Sequence, residues 1–286
     1  MKTLSKDKKI LIIGLGLIGG SYAQGLTNAG YQVGALARRE ETIKFALDKG
    51  FISSGQIEVN KDYVSQFDVI IFGLYPRAII SWLEKYQSYF KSGALITDVS
   101  GVKRSLIYKA QEILREDLEY VSAHPMAGKE VSGVENADAN IFKNANYIVT
   151  PTNKNTEENI QIVESIGHIL NFKNVVRLSP EEHDEMIGFL SQLTHCIAVS
   201  LMTCKDSENL VMYTGDSFRD LTRIAKINEN MWPELFISNK DELLKQMDLF
   251  MGEFLKLRKT IEDEDVENMQ EMMRLSTKRR GYFDKK

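Results

Sequence analysis

Cysteine is scarce in this sequence, which has only Cys196 and Cys204 among its 286 residues. The two cysteines lie in a segment with helical spacing of apolar residues, so at 1.5 Å per residue they are about 12 Å apart along the axis. A disulfide bond cannot span that distance. The sequence therefore predicts two small buried side chains instead of a redox pair, and a protein of the reducing cytoplasm.

An excess of basic charge is also lacking. The 36 Lys and Arg residues are outnumbered by 40 Asp and Glu residues, which leaves a formal net charge of -4. No basic patch or tail of the kind that binds nucleic acid stands out. The composition therefore excludes a typical nucleic-acid-binding protein and favours a small-molecule partner.

Long apolar runs, metal-ligand clusters and repeats are missing as well. The N-terminal apolar run breaks at glycines within a few residues and is followed by no cleavage-like site. No group of His, Cys, Asp and Glu residues has the spacing of metal ligands, and no internal repeat stands out. We therefore expect no membrane segment, no targeting segment and no metal.

The first half of the chain alternates short apolar runs with helical patterns. Predicted buried strands, bounded by Gly, Asp, Asn or Pro, cover residues 10–13, 32–36, 69–72, 94–97, 146–150 and 175–178. Predicted helices cover residues 21–29, 77–89, 103–115 and 156–170. This alternation predicts an α/β fold, a Rossmann-type parallel sheet with helices on both faces.

The strand pattern stops after Leu178. The Ser-Pro-Glu-Glu sequence that begins at position 179 has the cap, first-turn proline and early acids of a helix start, and helical spacing follows it. We predict a dinucleotide-binding domain over residues 1–178 and an all-α domain over residues 179–286. The methionine-rich apolar stripes of the second domain favour a subunit interface, so we expect a homodimer.

A glycine-rich turn follows the first predicted strand and opens a helix. In the pattern Gly14-Leu-Gly16-Leu-Ile-Gly19, one glycine permits a tight turn, one admits a pyrophosphate and one allows close helix packing. The amides of the first helical turn, including those of Leu17 and Ile18, would then face the phosphates. The turn therefore predicts a dinucleotide site.

The residues after the second predicted strand distinguish NAD from NADP. An NAD site has a carboxylate at this strand end for the ribose hydroxyls, whereas an NADP site needs a cation instead. Here the strand is followed by Ala37, Arg38 and Arg39, and guanidinium groups bind phosphate through paired hydrogen bonds. The sequence therefore favours NADP over NAD. In the alternative interpretation both arginines are surface residues, and Glu40 or Glu41 contacts the ribose.

Polar residues also follow two later strands, at the sheet edge where open α/β folds place active sites. One segment carries Asp98, Ser100 and Lys103, and the other carries His124 beside Pro125. A histidine at a strand end, held by a proline turn, suits general-base catalysis because its pKa is close to neutrality. We therefore predict that His124 is the catalytic base.

The other three histidines have less distinctive surroundings. His168 lies near a predicted helix end and His183 near a predicted helix start, where capping or solvent exposure is the simpler interpretation. His195 lies within an apolar helix, and the pattern is equally compatible with a buried structural role and a role in a site.

Five segments together resemble the prephenate dehydrogenases, the oxidative enzymes of tyrosine biosynthesis. In chain order they are GLGLIGGS, TDVSGVK, HPMAGKE, HDEMIGFLSQLTH and SFRDLTRIAKINENMW, and the resemblance spans about residues 8 to 260. It implies a nucleotide-binding domain followed by a helical dimerisation domain. It also implies oxidative decarboxylation of prephenate to 4-hydroxyphenylpyruvate and carbon dioxide, with hydride transfer to a nicotinamide cofactor.

The resemblance implies roles for particular residues. His124 matches the histidine that hydrogen-bonds to the substrate hydroxyl and polarises it. The family has a serine that orients this histidine within a Gly-Ser pair, and this sequence has Ser100-Gly101 in the reverse order. Ser100 is the residue we expect to orient His124.

Substrate binding is implied for three residues of the second half. Arg223 matches the arginine that binds a substrate carboxylate, which a guanidinium can do with two parallel hydrogen bonds. His195 matches the second histidine of the family's site, and Gln192 takes a position where relatives often have histidine.

Three other functions are compatible with parts of the sequence. Arogenate dehydrogenase performs the same chemistry on the amino analogue of prephenate, often with NADP. A hydroxyacid or imine reductase with the same two-domain plan would need an essential lysine in the helical domain, and neither Lys205 nor Lys226 has a compelling context. A catalytically silent NADP sensor would have lost the chemical residues, whereas His124 and Arg223 are both present.

Overall fold

The computed structural model of the chain describes residues 2–206 and 208–284. Within them the chain forms two compact units, one that ends at Asn239 and one that begins at Lys240. The predicted domain boundary between residues 178 and 179 stays a prediction.

Nine strands form two sheets in the first unit. The strands are β1 (Lys9–Ile13), β2 (Gln32–Leu36), β3 (Ser54–Gln56), β4 (Val69–Phe72), β5 (Leu95–Asp98), β6 (Glu119–Tyr120), β7 (Ser122–Pro125), β8 (Asn146–Thr150) and β9 (Asn174–Arg177), counted within the described residues. The first six form a wholly parallel sheet in the order β3-β2-β1-β4-β5-β6. The predicted Rossmann-type sheet is confirmed.

Helices surround the sheets in the first unit and make up the second unit. The α-helices are α1 (Leu17–Asn28), α2 (Glu40–Asp48), α3 (Lys61–Val64), α4 (Pro76–Tyr86), α5 (Arg104–Ile113), α6 (Glu157–Ile169), α7 (Pro180–Ile187), α8 (Thr194–Thr203), α9 (Asp216–Thr222), α10 (Trp232–Ser238), α11 (Lys240–Glu262) and α12 (Val266–Arg280). Short 3-10 helices cover Gln87–Tyr89, Val134–Asn136, Ala139–Phe142, Glu208–Tyr213, Arg223–Ala225 and Gly281–Phe283.

The central strands of the parallel sheet, β1 and β4, are almost entirely apolar and buried, so the middle of the sheet is covered on both faces. Ile10 and Ile12 of β1 pack into one hydrophobic cluster, whereas Leu11 packs into a second cluster on the opposite face. Side chains alternate between the faces of a strand, so a continuous apolar run supplies both clusters. Helix packing on both faces follows from that pattern.

A second, three-stranded sheet holds the segment that carries His124. β7 pairs antiparallel with β8, and β8 pairs parallel with β9. His124 of β7 stands opposite Ile148 of β8. The sequence did not predict this separate sheet, because an apolar run alone does not indicate which strand it pairs with.

Two sequence expectations about burial are wrong. Asn174–Arg177 is a strand, but three of its four residues are exposed and the other is half-buried, because β9 is the edge of the small sheet. Cys204 is exposed and Cys196 is half-buried, so neither is a core residue. Both are free thiols, as predicted.

The helix that follows residue 178 begins as predicted. Ser179 accepts a hydrogen bond from the backbone N–H of Glu182, and the Glu182 side chain accepts one from the N–H of Ser179. α7 continues through a π-helical segment, Gly188–Leu193, into α8. By length and composition alone, this helical run could cross a membrane. Three of its polar residues, His183, Asp184 and Gln192, are buried and contact other parts of the first unit.

The second unit consists of α11, α12 and the 3-10 turn after them. α11 carries ion pairs between side chains three or four residues apart, such as Arg258 with Glu262 at 2.9 Å. Other positions carry exposed large apolar side chains, among them Phe254 and Leu255. The predicted all-helical character of this part of the chain is confirmed.

Candidate active site

The glycine turn lies where the strand order of the parallel sheet reverses. β1 has β2 on one side and β4 on the other, so a crevice opens beyond the carboxyl ends of β1 and β4. Gly14 has a φ of +100°, and a Cβ on it would lie 2.6 Å from the carbonyl oxygen of Gly73, which follows β4. Only glycine fits this turn.

Gly16 and Gly19 meet two different requirements. A Cβ on Gly19 would collide with the carbonyl oxygen of Gly14, so this residue must be glycine for α1 to start so close to β1. A Cβ on Gly16 would have no atom within 4 Å, because its backbone faces open space. A pyrophosphate group needs such an approach.

The N-terminus of α1 can bind an anion. α1 begins at Leu17, and in this fully described helix no side chain caps the first amides and no acid stands in the first turn. Unpaired amides at a helix N-terminus attract negative charge. The turn therefore fits the pyrophosphate of a dinucleotide, and the contacts of Gly14, Gly16, Leu17, Ile18 and Gly19 with it stay a prediction.

The two arginines predicted for NADP follow β2. Arg38 and Arg39 are both exposed. Arg39 lies 3.5 Å from Glu41 in a surface ion pair, and in residues 2–206 and 208–284 Arg38 has no ion pair. The guanidinium of Arg38 is therefore available to an anion at this strand end.

A buried ion pair fixes the loop after β5. Lys103 Nζ lies 2.9 Å from Asp98 Oδ1, and both side chains are fully buried. Asp98 also accepts hydrogen bonds from the backbone N–H of Ser100 at 2.7 Å and from the hydroxyl of Tyr120 at 2.9 Å. Lys103 Nζ donates to the carbonyl oxygen of Ala123 at 2.7 Å. These bonds join the loop to β7, next to His124.

His124 is half-buried and contacts a second histidine. Its Nδ1 lies 2.9 Å from Nε2 of His183, which is fully buried. Loss of water around the ring holds the pKa of His124 well below its ordinary range, and the neighbouring His183 and Lys103 act in the same direction. His124 is therefore neutral near pH 7, the form in which imidazole can accept a proton.

His183 in turn contacts Asp184. The Nδ1 of His183 lies 2.8 Å from Asp184 Oδ1, and both side chains are buried. Asp184 also accepts hydrogen bonds from the backbone N–H groups of Lys103 and Arg104, each at 2.9 Å. The carboxylate thus caps the start of α5 from another part of the chain. The interpretation of His183 as a capping or exposed residue is wrong, because a tertiary contact that no local pattern encodes buries it.

Among the described residues, Ser100 forms no hydrogen bond with His124. Its hydroxyl accepts a hydrogen bond from the backbone N–H of Val102 at 3.4 Å. Gly101 faces the histidine, since a Cβ on Gly101 would lie 3.8 Å from His124 Nε2. The orienting role of Ser100 therefore stays a prediction, and the hydrogen-bond partner that the structure gives the His124 side chain is His183.

Gln192 lies in the π-helical segment and is buried. Its Nε2 donates to the carbonyl oxygen of Leu235 at 3.0 Å, and its Oε1 accepts from Asn239 Nδ2 at 2.8 Å. Asn239 Nδ2 also lies 2.8 Å from the backbone oxygen of Asp184. Gln192 therefore joins α10 to the π-helical segment between α7 and α8. Its contact with substrate stays a prediction.

His195 stacks on Trp232 of α10. The ring centroids are 3.8 Å apart, and His195 Nδ1 lies 2.8 Å from the carbonyl oxygen of Ser191. A carbonyl accepts, so Nδ1 carries the hydrogen and Nε2 has a free lone pair. Partial burial lowers the pKa of His195. The ring is thus a neutral acceptor.

Arg223 forms an ion pair with Glu130, which follows the His-Pro segment in the chain. The guanidinium side chain is 64% exposed, so an incoming carboxylate can reach it. Arg219, one turn earlier, lies 2.9 Å from Asp216 and is occupied by that pair. Of the two arginines, Arg223 is the one whose partner belongs to the loop after His124.

Helix α10 lies close to both His124 and His195. Leu235 Cδ1 would lie 3.7 Å from a Cβ on Gly101, on the side of His124. Trp232, three residues earlier, contacts His195. The charges of Arg223 and Glu130 in turn act on the pKa of His195, so Arg223 lies on the His195 side of α10.

The sequence matches two family models. They are described as "Prephenate dehydrogenase, nucleotide-binding domain", over residues 23–176, and "Prephenate dehydrogenase, dimerization domain", over residues 179–275. Together they cover most of the chain.

Individual relatives agree with these matches. Prephenate dehydrogenase of Bacillus subtilis (strain 168) is 34% identical over 269 residues, which are 91% of this chain and 72% of that protein. Cyclohexadienyl dehydrogenase of Zymomonas mobilis is 29% identical over 286 residues, 96% of this chain and 95% of that protein.

A solved structure is similar over almost the full chain. It is prephenate dehydrogenase from A. aeolicus in complex with hydroxyphenyl propionate and NAD+, with a TM-score of 0.89 and 30% identity. The alignment covers 99% of this chain and 100% of that one. The fold, the glycine turn and both family matches agree with the resemblance seen in the sequence. The chain belongs to the prephenate dehydrogenase family.

Proposed function

We propose that this chain oxidises prephenate to 4-hydroxyphenylpyruvate and carbon dioxide, with His124 as the base and Arg223 as the carboxylate ligand. The observation that carries these roles is α10, which lies beside His124 on one side and contacts His195, the neighbour of the exposed Arg223 guanidinium, on the other. When bound, the nicotinamide accepts the hydride from the ring carbon that bears the hydroxyl. Loss of carbon dioxide then makes the ring aromatic: the electron pair of the broken C–C bond enters the ring, and the carbonyl oxygen regains a proton and becomes the phenol hydroxyl.

His124 takes the hydroxyl proton as the carbonyl forms. The O–H bond breaks, an N–H bond forms at Nε2, and the electron pair left on oxygen becomes part of the C=O bond. The low pKa of His124 keeps Nε2 unprotonated at neutral pH, so the base is ready when substrate binds.

Arg223 binds one of the two carboxylates of prephenate. The Arg223 guanidinium is paired with Glu130, so a bound substrate would replace one carboxylate partner by another. His195 Nε2 and the Trp232 ring provide an acceptor and an apolar surface beside the guanidinium. Gln192 holds α10, the helix that carries Trp232, through its hydrogen bond to the carbonyl oxygen of Leu235.

For the cofactor we propose NADP over NAD, with Arg38 and Arg39 as ligands of the 2′-phosphate. Support comes from the two exposed arginines after β2. Glu41, one of the two alternative ribose contacts, pairs instead with Arg39. The relative from A. aeolicus carries NAD+, which makes NAD the direct competitor. The family assignment itself requires only a nicotinamide cofactor.

We further propose a cytoplasmic homodimer that forms through the helical domain. The matched family model is that of a dimerisation domain, and α11 exposes large apolar side chains. Such a surface is costly for a monomer to leave in water.

The test is the initial rate of reduced-nicotinamide formation with prephenate or arogenate, crossed against NADP or NAD. Turnover of prephenate supports the proposal, and a higher kcat/KM with NADP supports the roles of Arg38 and Arg39. A higher kcat/KM with NAD overturns the cofactor proposal alone. Faster oxidation of arogenate identifies the amino analogue as the substrate, and no turnover in any combination supports a silent sensor.

His124→Asn tests the catalytic role. We expect kcat to fall by about 10²- to 10⁴-fold, the usual contribution of a general base, with cofactor affinity unchanged. The control is His168→Asn, at an exposed histidine of α6. Equal rates for wild type and His124→Asn would exclude His124 as the base.

A further inference from the structure

The contacts of His124 continue into the protein as a chain of hydrogen bonds. His124 Nδ1 lies 2.9 Å from His183 Nε2, and His183 Nδ1 lies 2.8 Å from Asp184 Oδ1. The two imidazole rings have centroids 5.1 Å apart. His183 and Asp184 are fully buried, so no water competes for these bonds. The arrangement connects a half-buried histidine to a buried carboxylate through a second ring.

The direction of each of these hydrogen bonds follows from Asp184, the last group in the series. Both side-chain oxygens of Asp184 accept backbone N–H groups, those of Lys103 and Arg104, so the side chain acts here as a hydrogen-bond acceptor. Nδ1 of His183 must therefore carry a hydrogen and donate it to Asp184. Burial lowers the pKa of both histidines, so both rings are neutral and each has a single N–H. Nε2 of His183 is then an acceptor.

The same logic settles the state of His124. Because His183 Nε2 accepts, His124 Nδ1 carries the hydrogen and His124 Nε2 keeps its lone pair. This lone pair belongs to the atom near Gly101, where a Cβ would lie 3.8 Å away. The ring nitrogen of His124 that faces Gly101 is thus a proton acceptor.

We propose that His183 and Asp184 are positioning residues that hold His124 in the Nδ1–H tautomer, so that its Nε2 accepts the substrate proton. The proposal rests on the proposed function for its consequence in catalysis, whereas the tautomer itself does not depend on the substrate. In the reaction the proton moves from the substrate oxygen to Nε2, and the resulting imidazolium keeps its Nδ1–H bond to His183. The negative charge of Asp184, relayed through His183, stabilises that imidazolium.

The first experiment measures the tautomer directly. The chain has four histidines, so protein labelled with 15N in the imidazole rings has few signals to assign. Two-bond 15N–1H correlation at neutral pH distinguishes a protonated ring nitrogen from one with a lone pair. We expect Nδ1 of His124 to be protonated and Nε2 to be unprotonated. A proton on Nε2 of His124 would overturn the proposal, whatever the substrate proves to be.

The second experiment separates the two contacts of His183 with a matched pair of variants. In His183→Gln, the amide group lies near the former Nε2 and can still accept from His124. In His183→Asn, the amide lies near the former Nδ1 and can bond only to Asp184. We expect His183→Asn to lose the fixed tautomer and about 10- to 100-fold in kcat with prephenate, part of a base's usual effect. His183→Gln should keep the tautomer and lose less.

The outcomes distinguish positioning from packing. Unchanged KM and cofactor affinity beside a lower kcat in His183→Asn support positioning. Equal kcat values and equal His124 tautomers in the two variants, with or without a fall in thermal stability, overturn it and leave His183 a packing residue. If wild-type protein oxidises neither prephenate nor arogenate, the proposed function fails, and the NMR measurement still decides the tautomer.

Discussion

At the scale of single residues, the site depends on charges that have a partner before substrate arrives. Lys103 pairs with Asp98, and Arg223 pairs with Glu130. The first pair is fully buried, so removal of one partner would leave an uncompensated charge in the protein interior. The second is exposed, so its partner can change at little cost. Burial thus separates a structural ion pair from one that is available to substrate.

Arg223→Ala should raise the KM for prephenate. A hydrogen bond to a charged group is worth about 1.5–3 kcal/mol, which corresponds to a rise of about 10- to 100-fold. Steady-state kinetics measure it, and Arg223→Lys should restore part of the loss because the charge remains. Arg219→Ala is the control, since its guanidinium is paired with Asp216. An equal rise in KM for the two alanine variants would contradict the assignment.

Acid should destabilise the protein through its buried histidines. The folded-state pKa values of His124 and His183 are lowered, chiefly by burial, whereas a histidine of the unfolded chain titrates near pH 6.5. Below about pH 6.5 the unfolded chain therefore binds more protons. The free energy of unfolding then falls as pH falls, by up to about 1.4 kcal/mol per pH unit for each proton.

Urea unfolding at a series of pH values between about 7.5 and 5.5 measures this slope. His183→Gln removes one of the two groups and should make the slope shallower, even if its stability at neutral pH is lower. His168→Gln, at an exposed position of α6, should keep the wild-type slope. A slope that does not differ between wild type and His183→Gln would show that His183 binds its proton equally in both states.

At the scale of elements, two glycines of the strand-turn-helix unit at β1 are expected to affect different properties: Gly19 affects stability, and Gly16 affects cofactor binding. Gly19→Ala places a methyl group against the carbonyl oxygen of Gly14, so we expect a lower free energy of unfolding. Gly16→Ala points its methyl group into open space and should fold normally. It should nevertheless bind the dinucleotide more weakly, because the methyl group occupies the approach of the pyrophosphate.

Urea unfolding and cofactor titration, carried out on both glycine variants, compare the two effects. The expected pattern is a stability loss confined mainly to Gly19→Ala and an affinity loss in a stable Gly16→Ala. Wild-type cofactor affinity in Gly16→Ala would mean that the pyrophosphate does not approach this residue.

At the scale of the whole molecule, the apolar surface of α11 predicts self-association. Leu249, Phe254 and Leu255 are 66%, 60% and 61% exposed in the single chain. We expect wild-type protein to have twice the 32.6 kDa mass of the chain by light scattering, and Phe254→Asp to shift the mass toward one chain. Lys44→Asp, at an exposed position of α2, is the control. A single-chain mass for wild type would contradict the proposed homodimer.

Local sequence patterns were sufficient for much of this structure. The runs at residues 32–36, 69–72 and 146–150 form strands with the predicted bounds. The glycine turn at Gly14 and the helix start at Ser179 are also as predicted. Each of these features depends on neighbours along the chain, through alternation, turn geometry or capping, so a short window of sequence contains the physical cause.

Only the tertiary structure decided which distant residues meet. His183 is 59 positions from His124, and Arg223 is 93 positions from its partner Glu130. Neither pair has a local signature, because hydrogen bonds and ion pairs across the chain depend on how strands and helices pack. The antiparallel pairing of β7 with β8 and the exposed edge at β9 have the same origin. The sequence by itself therefore determined the parallel-sheet fold with its glycine turn and indicated His124 as a candidate base. Packing decided which residues contact His124.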